Sequence, residues 1–508
     1  MRIVLIHPPH TAIGSRIPRE NLPPFGLLCI GGPLIDAGHQ VSLLNADPAG
    51  LSIDEILRQT ADARPDAILI GHSGSTSAHP TVMEIATALK RELAVPVIYG
   101  GVYPSYHWRE ILATTGPIDV IVRGEGEETA VNLINALERG DDLASVRGIA
   151  FCRAGRAMAT APQPMARDLD QFRIAWELVD LDHHSYWGGK KAVILQLSRG
   201  CPHLCTYCGQ RGFWTKWRYR NPELLADEIA RLVRDEGVEL INLADENPTS
   251  SRKVWRRFLE AIIAHNITVT IIGSTRADDI VRDADILHLY RKAGVLRFLI
   301  GMEHTDAETL RRIRKGGSAT KDQEAIRLMR DHGMIALCTF AVGFADMKDR
   351  DFWRLLRGLL SYDPMQIMSI YATPHRWTPF FNDVKSARVI RGDLRHWDYK
   401  HQVVETGMPA WRVFAWVKFI EIVMQARPKA LWRSYLHPDP EIRHAMRWYT
   451  RMGRRVFLRE LWDFVTTSRR PGPSVAEYLG GDHQLGEDAL ARGATPANRA
   501  RRTGSAAI

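Results

Sequence analysis

The chain has 508 residues and six cysteines, and 67 lysines and arginines against 58 acidic residues give it a formal net charge of +9. This length suffices for two or three domains with substantial cores, and three cysteines in one short stretch argue against a disulfide framework and for a reducing, intracellular compartment. The positive charge favours anionic partners, whether nucleic acid, lipid or a carboxylate-bearing small molecule. No apolar run reaches the roughly 18 residues of a membrane span, and the chain enters a strand pattern at once, so we expect neither a span nor a signal peptide.

Residues 1–145 alternate short apolar strands with amphipathic helices. The predicted strands are Ile3–Ile6, Val41–Leu44, Ala67–Ile70, Val97–Tyr99 and Val120–Val122. Such alternation predicts an α/β domain with a parallel, doubly wound sheet that binds its ligand at the carboxyl ends of the strands. No G-x-G-x-x-G follows the first strand, so a dinucleotide ligand is poorly supported.

The turns that follow these strands are rich in glycine, which lets the backbone approach a large ligand closely. The residues selected there as ligand-binding are Gly74, Ser75, Gly100, Gly101 and Gly124.

Residues 146–190 lose this pattern, and we interpret them as an inter-domain linker. From 191 to 375 a second strand–helix series follows, with strands near 193–197, 238–243, 267–272, 295–300, 334–341 and 366–371. Its first helix is well delimited, because Asn221 can cap it, Pro222 suits its first position and Gly237 can end it. Residues 376–466 form a predicted helical region rich in tryptophan and arginine, and 467–508 are predicted to be disordered.

Three cysteines spaced C-x3-C-x2-C, Cys201, Cys205 and Cys208, follow the first strand of the second series. Thiolates favour iron–sulfur clusters or zinc, and three of them leave one metal position open for a substrate or cofactor. The alternatives are a zinc site completed by His203 and buried cysteines without a ligand. Zinc ligands usually come as two separated pairs, which this single cluster is not.

This spacing, with Tyr207 just before the last cysteine, resembles the signature of the radical S-adenosylmethionine (radical-SAM) superfamily. The resemblance implies a partial (β/α)6 barrel and a 4Fe–4S cluster whose open iron binds SAM and cleaves it to a 5′-deoxyadenosyl radical. Positions that resemble the SAM-binding places of the superfamily lie at the strand ends: Asp245 and Glu246 for the amino group, Arg276 for the carboxylate with Ser274 in the same turn, Glu303 for the ribose and Gly343 behind the adenine. For the polar positions among them, helix capping or a surface ion pair is the alternative.

The first domain looks like the Rossmann-like cobalamin-binding domain of one large radical-SAM subfamily. Its D-x-H-x-x-G motif, which supplies a cobalt ligand in methyltransferase-type domains, is absent here. We therefore expect cobalamin to bind without a histidine from that motif. The alternative is a domain that only supports the barrel.

From end to end, the chain resembles the family of anaerobic oxidative cyclases that form the fifth ring of bacteriochlorophyll. Ala244-Asp245-Glu246-Asn247-Pro248-Thr249 and Thr373-Pro374-His375-Arg376-Trp377-Thr378-Pro379 carry much of this likeness. It implies SAM, the 4Fe–4S cluster and cobalamin as cofactors, a magnesium-porphyrin substrate and a reductant such as flavodoxin or ferredoxin, with no nucleic acid and a cytoplasmic location.

For the porphyrin, the aromatic and cationic residues of the C-terminal region are the predicted binding residues. Arg376 or Arg412 would pair with the free propionate, Trp377 or Trp411 would stack on the macrocycle, and His375 would ligate magnesium. A helical cap packed on the barrel explains the same residues without a ligand. Two rival functions remain, a cobalamin-dependent radical-SAM methyltransferase and a non-catalytic cobalamin or redox sensor.

Overall fold

The computed structural model of the protein describes residues 1–9, 20–72, 76–113, 116–210, 212–467 and 469–480. These residues form two α/β domains followed by a layer of helices. Short 3-10 turns lie at Thr76–Ala78, Leu143–Ser145, Trp176–Leu178, Leu181–His183, Pro248–Ser250, Ala284–Ile286 and Leu394–His396.

The first domain is built on a seven-stranded sheet. Its strands are β1 (Arg2–His7), β2 (Gln40–Asn45), β3 (Ala67–Gly71), β4 (Val97–Gly100), β5 (Val120–Val122), β6 (Ile149–Arg153) and β7 (Arg156–Ala159), in the order β2-β1-β3-β4-β5-β6-β7. Its helices are α1 (Phe25–Asp36), α2 (Ala46–Ala49), α3 (Ile53–Asp62), α4 (His79–Glu92), α5 (Val102–Leu112) and α6 (Glu127–Arg139). β1 to β5 are parallel, as predicted, and every residue of β3 is buried because helices cover both faces of the sheet.

The first sheet continues beyond the expected domain boundary at 145. β6 and β7 form an antiparallel hairpin, and β6 pairs with β5. Ala154 and Gly155 turn the hairpin with φ of +51° and +74°, the left-handed conformation that a tight hairpin requires. The sequence pattern missed this pair because short edge strands carry little periodicity. The expected linker 146–190 therefore contributes β6 and β7 to the first sheet and β8 to the second.

The second domain has six parallel strands, which confirms the predicted partial barrel. The strands of its sheet are β8 (Ser185–Tyr186), β9 (Lys190–Leu195), β12 (Leu240–Leu243), β13 (Thr270–Thr275), β14 (Val295–Glu303), β15 (Ile335–Val342) and β16 (Gln366–Tyr371), while β10 (Ser198–Arg199) and β11 (Arg218–Tyr219) pair separately. The helices are α7 (Pro222–Glu236), α8 (Arg252–Ala264), α9 (Ala277–Arg282), α10 (Leu287–Lys292), α11 (Ala307–Arg312), α12 (Ala319–Asp331) and α13 (Asp349–Tyr362). β9 and β12 to β16 are parallel, and β8 is an antiparallel edge.

Helix α7 shows how the sequence delimits these elements. The side chain of Asn221 accepts hydrogen bonds from the backbone N–H groups of Glu223 and Leu224, and Gly237 ends the helix in the left-handed conformation. Leu225 and Ile229 lie one turn apart and are both buried against the sheet. The predicted cap, first residue and end of this helix are all observed.

The C-terminal region contains α14 (Pro379–Val384), α15 (Ala410–Ala426), α16 (Pro428–Tyr435), α17 (Pro440–Thr466) and α18 (Val475–Tyr478). Residues 385–409 are mostly irregular rather than helical, unlike the prediction. Ile442 and Trp448 of α17 pack on residues at the amino ends of the barrel strands, such as Leu240 and Leu296. The first half of α17 therefore closes the end of the barrel opposite to the cysteines, and it does not cover the predicted site.

Residues 469–480 were expected to be disordered, but they are folded. Val475 is fully buried, and Ser474 bridges to Arg388. Residues 481–508 lie outside the described part of the chain. Among the described helices, none is both long and apolar enough to cross a bilayer.

Candidate active site

The three cysteines lie on a loop that leaves the second domain after β9 and returns through a short hairpin. β10 and β11 pair antiparallel, with Arg199 opposite Arg218, and close the base of this loop. Gly200 has a φ of +90°, and a Cβ atom added there would lie 2.5 Å from the carbonyl oxygen of Lys216. Only glycine therefore fits between the hairpin and the first cysteine.

The donor set fits an iron–sulfur cluster. Cys205 is buried, and Cys201 and Cys208 are half-buried. Burial raises the pKa of Cys201, and it raises the pKa of Cys208 to about 11, so binding iron must displace protons from these thiols. Within the described residues, no three Cys, His, Asp or Glu side chains are placed to bind a single metal ion.

The two carboxylates that follow β12 hold the entrance of the cysteine loop. Asp245 accepts hydrogen bonds from the backbone N–H groups of Leu197 (3.1 Å) and Ser198 (2.5 Å) and from the Ser198 hydroxyl (2.6 Å). Glu246 accepts one from the backbone N–H of Gly200 (3.0 Å). Burial raises the pKa of each carboxyl to about 7. Both oxygens of Asp245 bind the loop, whereas the loop engages one oxygen of Glu246. The predicted contact of these carboxylates with the SAM amino group stays a prediction.

Arg276 follows β13 and is buried next to the same loop. Its Nη2 donates to the carbonyl oxygens of Lys315 (2.6 Å) and Gly316 (3.2 Å). Its Nε is also buried but has no hydrogen-bond partner. A buried guanidinium N–H without an acceptor is costly, and a carboxylate is the group that satisfies it best. This geometry fits the predicted role of Arg276 in holding the carboxylate of SAM.

The remaining predicted SAM residues lie at the same edge of the barrel. Glu303, at the end of β14, has a φ of +62°, a strained conformation that is concentrated at functional sites. Lys315 lies 3.5 Å from its carboxylate, and burial, with hydrogen bonding to Glu303, raises the pKa of Tyr207 well above its usual value. Ser274 is half-buried in β13, and Gly343 follows β15 with a φ of +86°. Because β12 to β15 are neighbours, their carboxyl ends bring these residues together.

The glycines predicted to contact cobalamin lie at the carboxyl edge of the first sheet. Gly100 ends β4, and Gly101 follows it with a φ of +122°. Gly124 follows β5 with a φ of +81°, and its N–H donates to the Ser105 hydroxyl (3.0 Å). These bare backbone positions form an edge that a large, flat cofactor can approach. The other two predicted residues, Gly74 and Ser75, lie outside the described residues.

A buried ion-pair network joins this edge to the cysteine loop. Arg199 lies 2.6 Å from Glu127 and 3.3 Å from Glu125, and Arg218 lies 2.7 Å from Glu125. None of these side chains is more than 14% exposed. Glu125 and Glu127 lie in and at the end of the glycine-rich turn after β5 and were not predicted as functional residues. The sequence signal that could have identified them is the presence of two acidic residues in a glycine-rich loop after a buried strand.

His375 is buried between the two domains. One ring nitrogen lies 3.3 Å from the Thr76 hydroxyl, and the other lies 2.5 Å from the Tyr399 hydroxyl. Burial lowers the pKa of His375 to about 4, so the ring is neutral. Both nitrogens therefore have hydroxyl partners within the protein, and the expected magnesium contact of His375 stays a prediction.

Arg376 and Trp377 also connect the two domains. Arg376 forms an ion pair with Glu110 of α5, while its Nε is buried without a partner. Trp377 donates from its ring N–H to the carbonyl oxygen of Gly209 (2.6 Å), next to the last cysteine, and stacks on Tyr106 at 4.8 Å. Trp377 therefore lies beside both the cysteine loop and the first domain, and Arg376 contacts the first domain.

The other two predicted substrate residues lie elsewhere. Trp411 is 61% exposed at the start of α15, and Arg412 is bonded to Asp349 of α13 at 2.5 Å. Neither joins the buried group around His375 and Arg376. Aromatic and cationic composition alone could not separate the two sets.

Comparison with known proteins agrees with this architecture. Residues 195–359 match the radical SAM superfamily, and residues 18–134 match the B12 binding domain. The radical SAM methyltransferase TsrM from Kitasatospora setae, solved with cobalamin and a 4Fe–4S cluster bound, superposes with a TM-score of 0.63 at 17% identity, covering 76% of this chain and 74% of that one. Fold and site thus define a cobalamin-dependent radical-SAM enzyme, with SAM, a 4Fe–4S cluster and cobalamin as its cofactors.

Two curated relatives identify the particular family within this class of enzymes. The anaerobic magnesium-protoporphyrin IX monomethyl ester cyclase of Synechocystis sp. is 56% identical over 484 residues, covering 94% of this chain and 97% of the relative. The cyclase of the same name from Cereibacter sphaeroides is 31% identical over 76% of this chain and 64% of its own length. The chain belongs to the family of anaerobic magnesium-protoporphyrin IX monomethyl ester cyclases.

Proposed function

We propose that this protein is an anaerobic oxidative cyclase that converts magnesium-protoporphyrin IX monomethyl ester to divinyl protochlorophyllide. The reaction oxidises the ring-C propionate ester, adds a keto oxygen taken from water and closes the isocyclic ring. The observation that carries this proposal is 56% identity to a cyclase along nearly the whole chain, including the C-terminal region outside both superfamily domains.

The site supports radical chemistry. When bound, the cluster and SAM supply a 5′-deoxyadenosyl radical, which can abstract hydrogen from an unactivated carbon next to the macrocycle. The residues of the chain serve to position these groups. Asp245 and Glu246 fix the cysteine loop, and Arg276 offers a buried, unpartnered N–H to the carboxylate of SAM. Fixed placement of the reacting atoms is the main rate contribution available to the protein.

The porphyrin is proposed to enter between the two domains near Arg376 and Trp377. Arg376 retains a buried Nε without an acceptor, which a propionate can satisfy. Trp377 contacts Gly209 of the cysteine loop, so a macrocycle bound there would lie next to the radical source. An electron donor such as flavodoxin or ferredoxin and a cytoplasmic location complete the proposal.

Anaerobic reconstitution with iron, sulfide and cobalamin, followed by turnover with SAM, a reductant and the porphyrin ester, tests this function. The expected product is protochlorophyllide, with label from heavy-oxygen water in the keto group. Gain of one methyl group by the product would instead establish the methyltransferase alternative. Cofactor binding without formation of 5′-deoxyadenosine would establish the sensor alternative.

A further inference from the structure

The outward surfaces of the C-terminal helices carry large apolar side chains. They are Trp411, Phe419 and Ile422 of α15 and Leu458, Leu461 and Val465 of α17, which we call the outer face. Each of these side chains is at least 40% exposed. Residues three or four positions apart share one side of a helix, so the α17 residues form a continuous stripe. In α15, Phe419 and Ile422 share one side with Trp411, which lies about three turns before Ile422. An exposed apolar patch of this kind marks an interaction site.

The two stripes lie on one side of the protein because α15 and α17 pack antiparallel. Phe414 stacks on Phe464 at 4.2 Å, and Lys418 pairs with Glu460. A Cβ atom added to Gly453 would come within 2.9 Å of Gln425. Successive residues of α15 therefore contact progressively earlier residues of α17. In each helix, the exposed stripe is displaced by one residue from the side chains that contact the other helix. In an antiparallel pair, that equal rotation turns both stripes to the same side.

Arginines continue the stripe of α17 toward its amino end. Arg447, Arg451 and Arg454 follow the same spacing and, with Tyr435 of α16, line a groove of about 380 Å³. These three arginines form no ion pair with any described residue. The acidic residues of α15 to α17 are paired with cations of the protein itself, as Lys418–Glu421, Arg291–Glu441, Lys418–Glu460 and Arg459–Asp463. With these three arginines included, the outer face is apolar at one end and positively charged at the other.

We propose that the outer face docks the enzyme on the surface of an anionic phospholipid bilayer. A bilayer supplies both features at once, because acyl chains receive the apolar stripe and headgroup phosphates pair with the arginines. A second copy of this chain would match the apolar stripe but would offer no carboxylate on that face to the arginines. The proposal is independent of the reaction catalysed and adds a peripheral membrane contact to a chain whose described helices include no membrane span.

Flotation of the reconstituted full-length enzyme with vesicles tests this inference. We expect partition onto vesicles of phosphatidylcholine with phosphatidylglycerol, weak partition onto phosphatidylcholine alone, and loss of binding at high salt. The double variant Arg451→Glu/Arg454→Glu should bind anionic vesicles at least tenfold more weakly, since each basic residue contributes about fivefold. Leu458→Ser/Leu461→Ser should weaken binding to a similar extent.

Two exposed substitutions elsewhere serve as matched controls. Arg91→Glu on α4 and Leu224→Ser on α7 change the same residue types on other surfaces and should leave binding unchanged. Unchanged cluster absorbance and SAM binding show that all variants are folded. Equal binding to neutral and anionic vesicles, or none to either, overturns the proposal. In the absence of vesicle binding, two further results would overturn it. One is a dimer that Leu458→Ser/Leu461→Ser dissociates, and the other is an acidic protein partner that Arg451→Glu/Arg454→Glu releases.

Discussion

Arg199, two residues before the first cluster cysteine, forms a buried ion pair of 2.6 Å with Glu127, the first residue of α6 in the cobalamin-binding domain. The pair joins the two cofactor-binding edges directly. Glu125 adds contacts to Arg199 and Arg218 on either side of the hairpin that closes the cysteine loop. The position of the loop therefore depends on the neighbouring domain as well as on the barrel.

Breaking this network should destabilise the protein. Glu127→Gln leaves Arg199 partly uncompensated, and we expect a loss of about 2 kcal/mol, below the full penalty of a buried pair because water still reaches these side chains. Denaturant unfolding of the oxygen-protected protein measures this loss. Glu128→Gln, on the exposed face of the same helix, is the matched control and should cost almost nothing. Equal stability of the two variants would contradict a structural role for the network.

Asp245 should act on the cluster loop rather than on SAM. Asp245→Ala removes the acceptor of three hydrogen bonds from Leu197 and Ser198, so we expect poor cluster incorporation. Iron content after reconstitution measures this effect, and Asp245→Asn, which keeps one acceptor, should retain more iron. If Asp245→Ala kept a full cluster but lost affinity for SAM, a direct contact of Asp245 with the SAM amino group would be supported instead.

Arg276 should govern the affinity for SAM. A charge-assisted hydrogen bond contributes about 1.5–3 kcal/mol, so Arg276→Met should bind SAM roughly tenfold to a hundredfold more weakly. Equilibrium dialysis with the reconstituted protein measures this, with cluster absorbance as the check on folding. Arg256→Met, an exposed arginine of α8, should behave like the wild type. Wild-type affinity in Arg276→Met would remove this residue from the SAM site.

The structure separates the two arginines proposed for the propionate. Arg376→Ala should weaken porphyrin binding and leave cleavage of SAM without substrate intact. Arg412→Ala should change neither, because Arg412 is half exposed and paired with Asp349 on the surface. Titration of porphyrin absorbance measures both affinities. Weaker binding in Arg412→Ala together with unchanged binding in Arg376→Ala would place the substrate near α15 instead.

Acid should destabilise the interface around His375. Burial lowers its pKa to about 4, below the value of about 6.5 in an unfolded chain, so the unfolded state binds the proton more readily. Stability present above about pH 6.5 is therefore lost as the pH falls to about 4, by up to ~3 kcal/mol for this residue.

Urea unfolding at stepped pH values tests this prediction. His375→Gln should show a shallower loss of stability in that window than the wild type. His183→Gln, whose parent side chain is 80% exposed, should keep the wild-type slope. Parallel slopes for the wild type and His375→Gln would contradict the assignment.

Local signals in the sequence were sufficient for most of the elements. The apolar strands, the caps of α7 and the spacing of Cys201, Cys205 and Cys208 depend on residues close together in the chain, and all six parallel barrel strands were found where predicted. The β6–β7 hairpin and the packed segment 469–480 were not predicted. Their pairing partners are set by contacts with other elements rather than by periodicity.

The sequence by itself determined the class of chemistry, because a three-thiolate loop and a matching strand–helix series are local patterns. Only the tertiary structure decided how residues distant in the chain are used. Asp245 binds the cysteine loop, Arg376 pairs with Glu110, and Trp411 faces outward, and composition cannot reveal any of these. The physical reason is that a hydrogen bond or ion pair commits a side chain to one partner, and the fold alone brings that partner within reach.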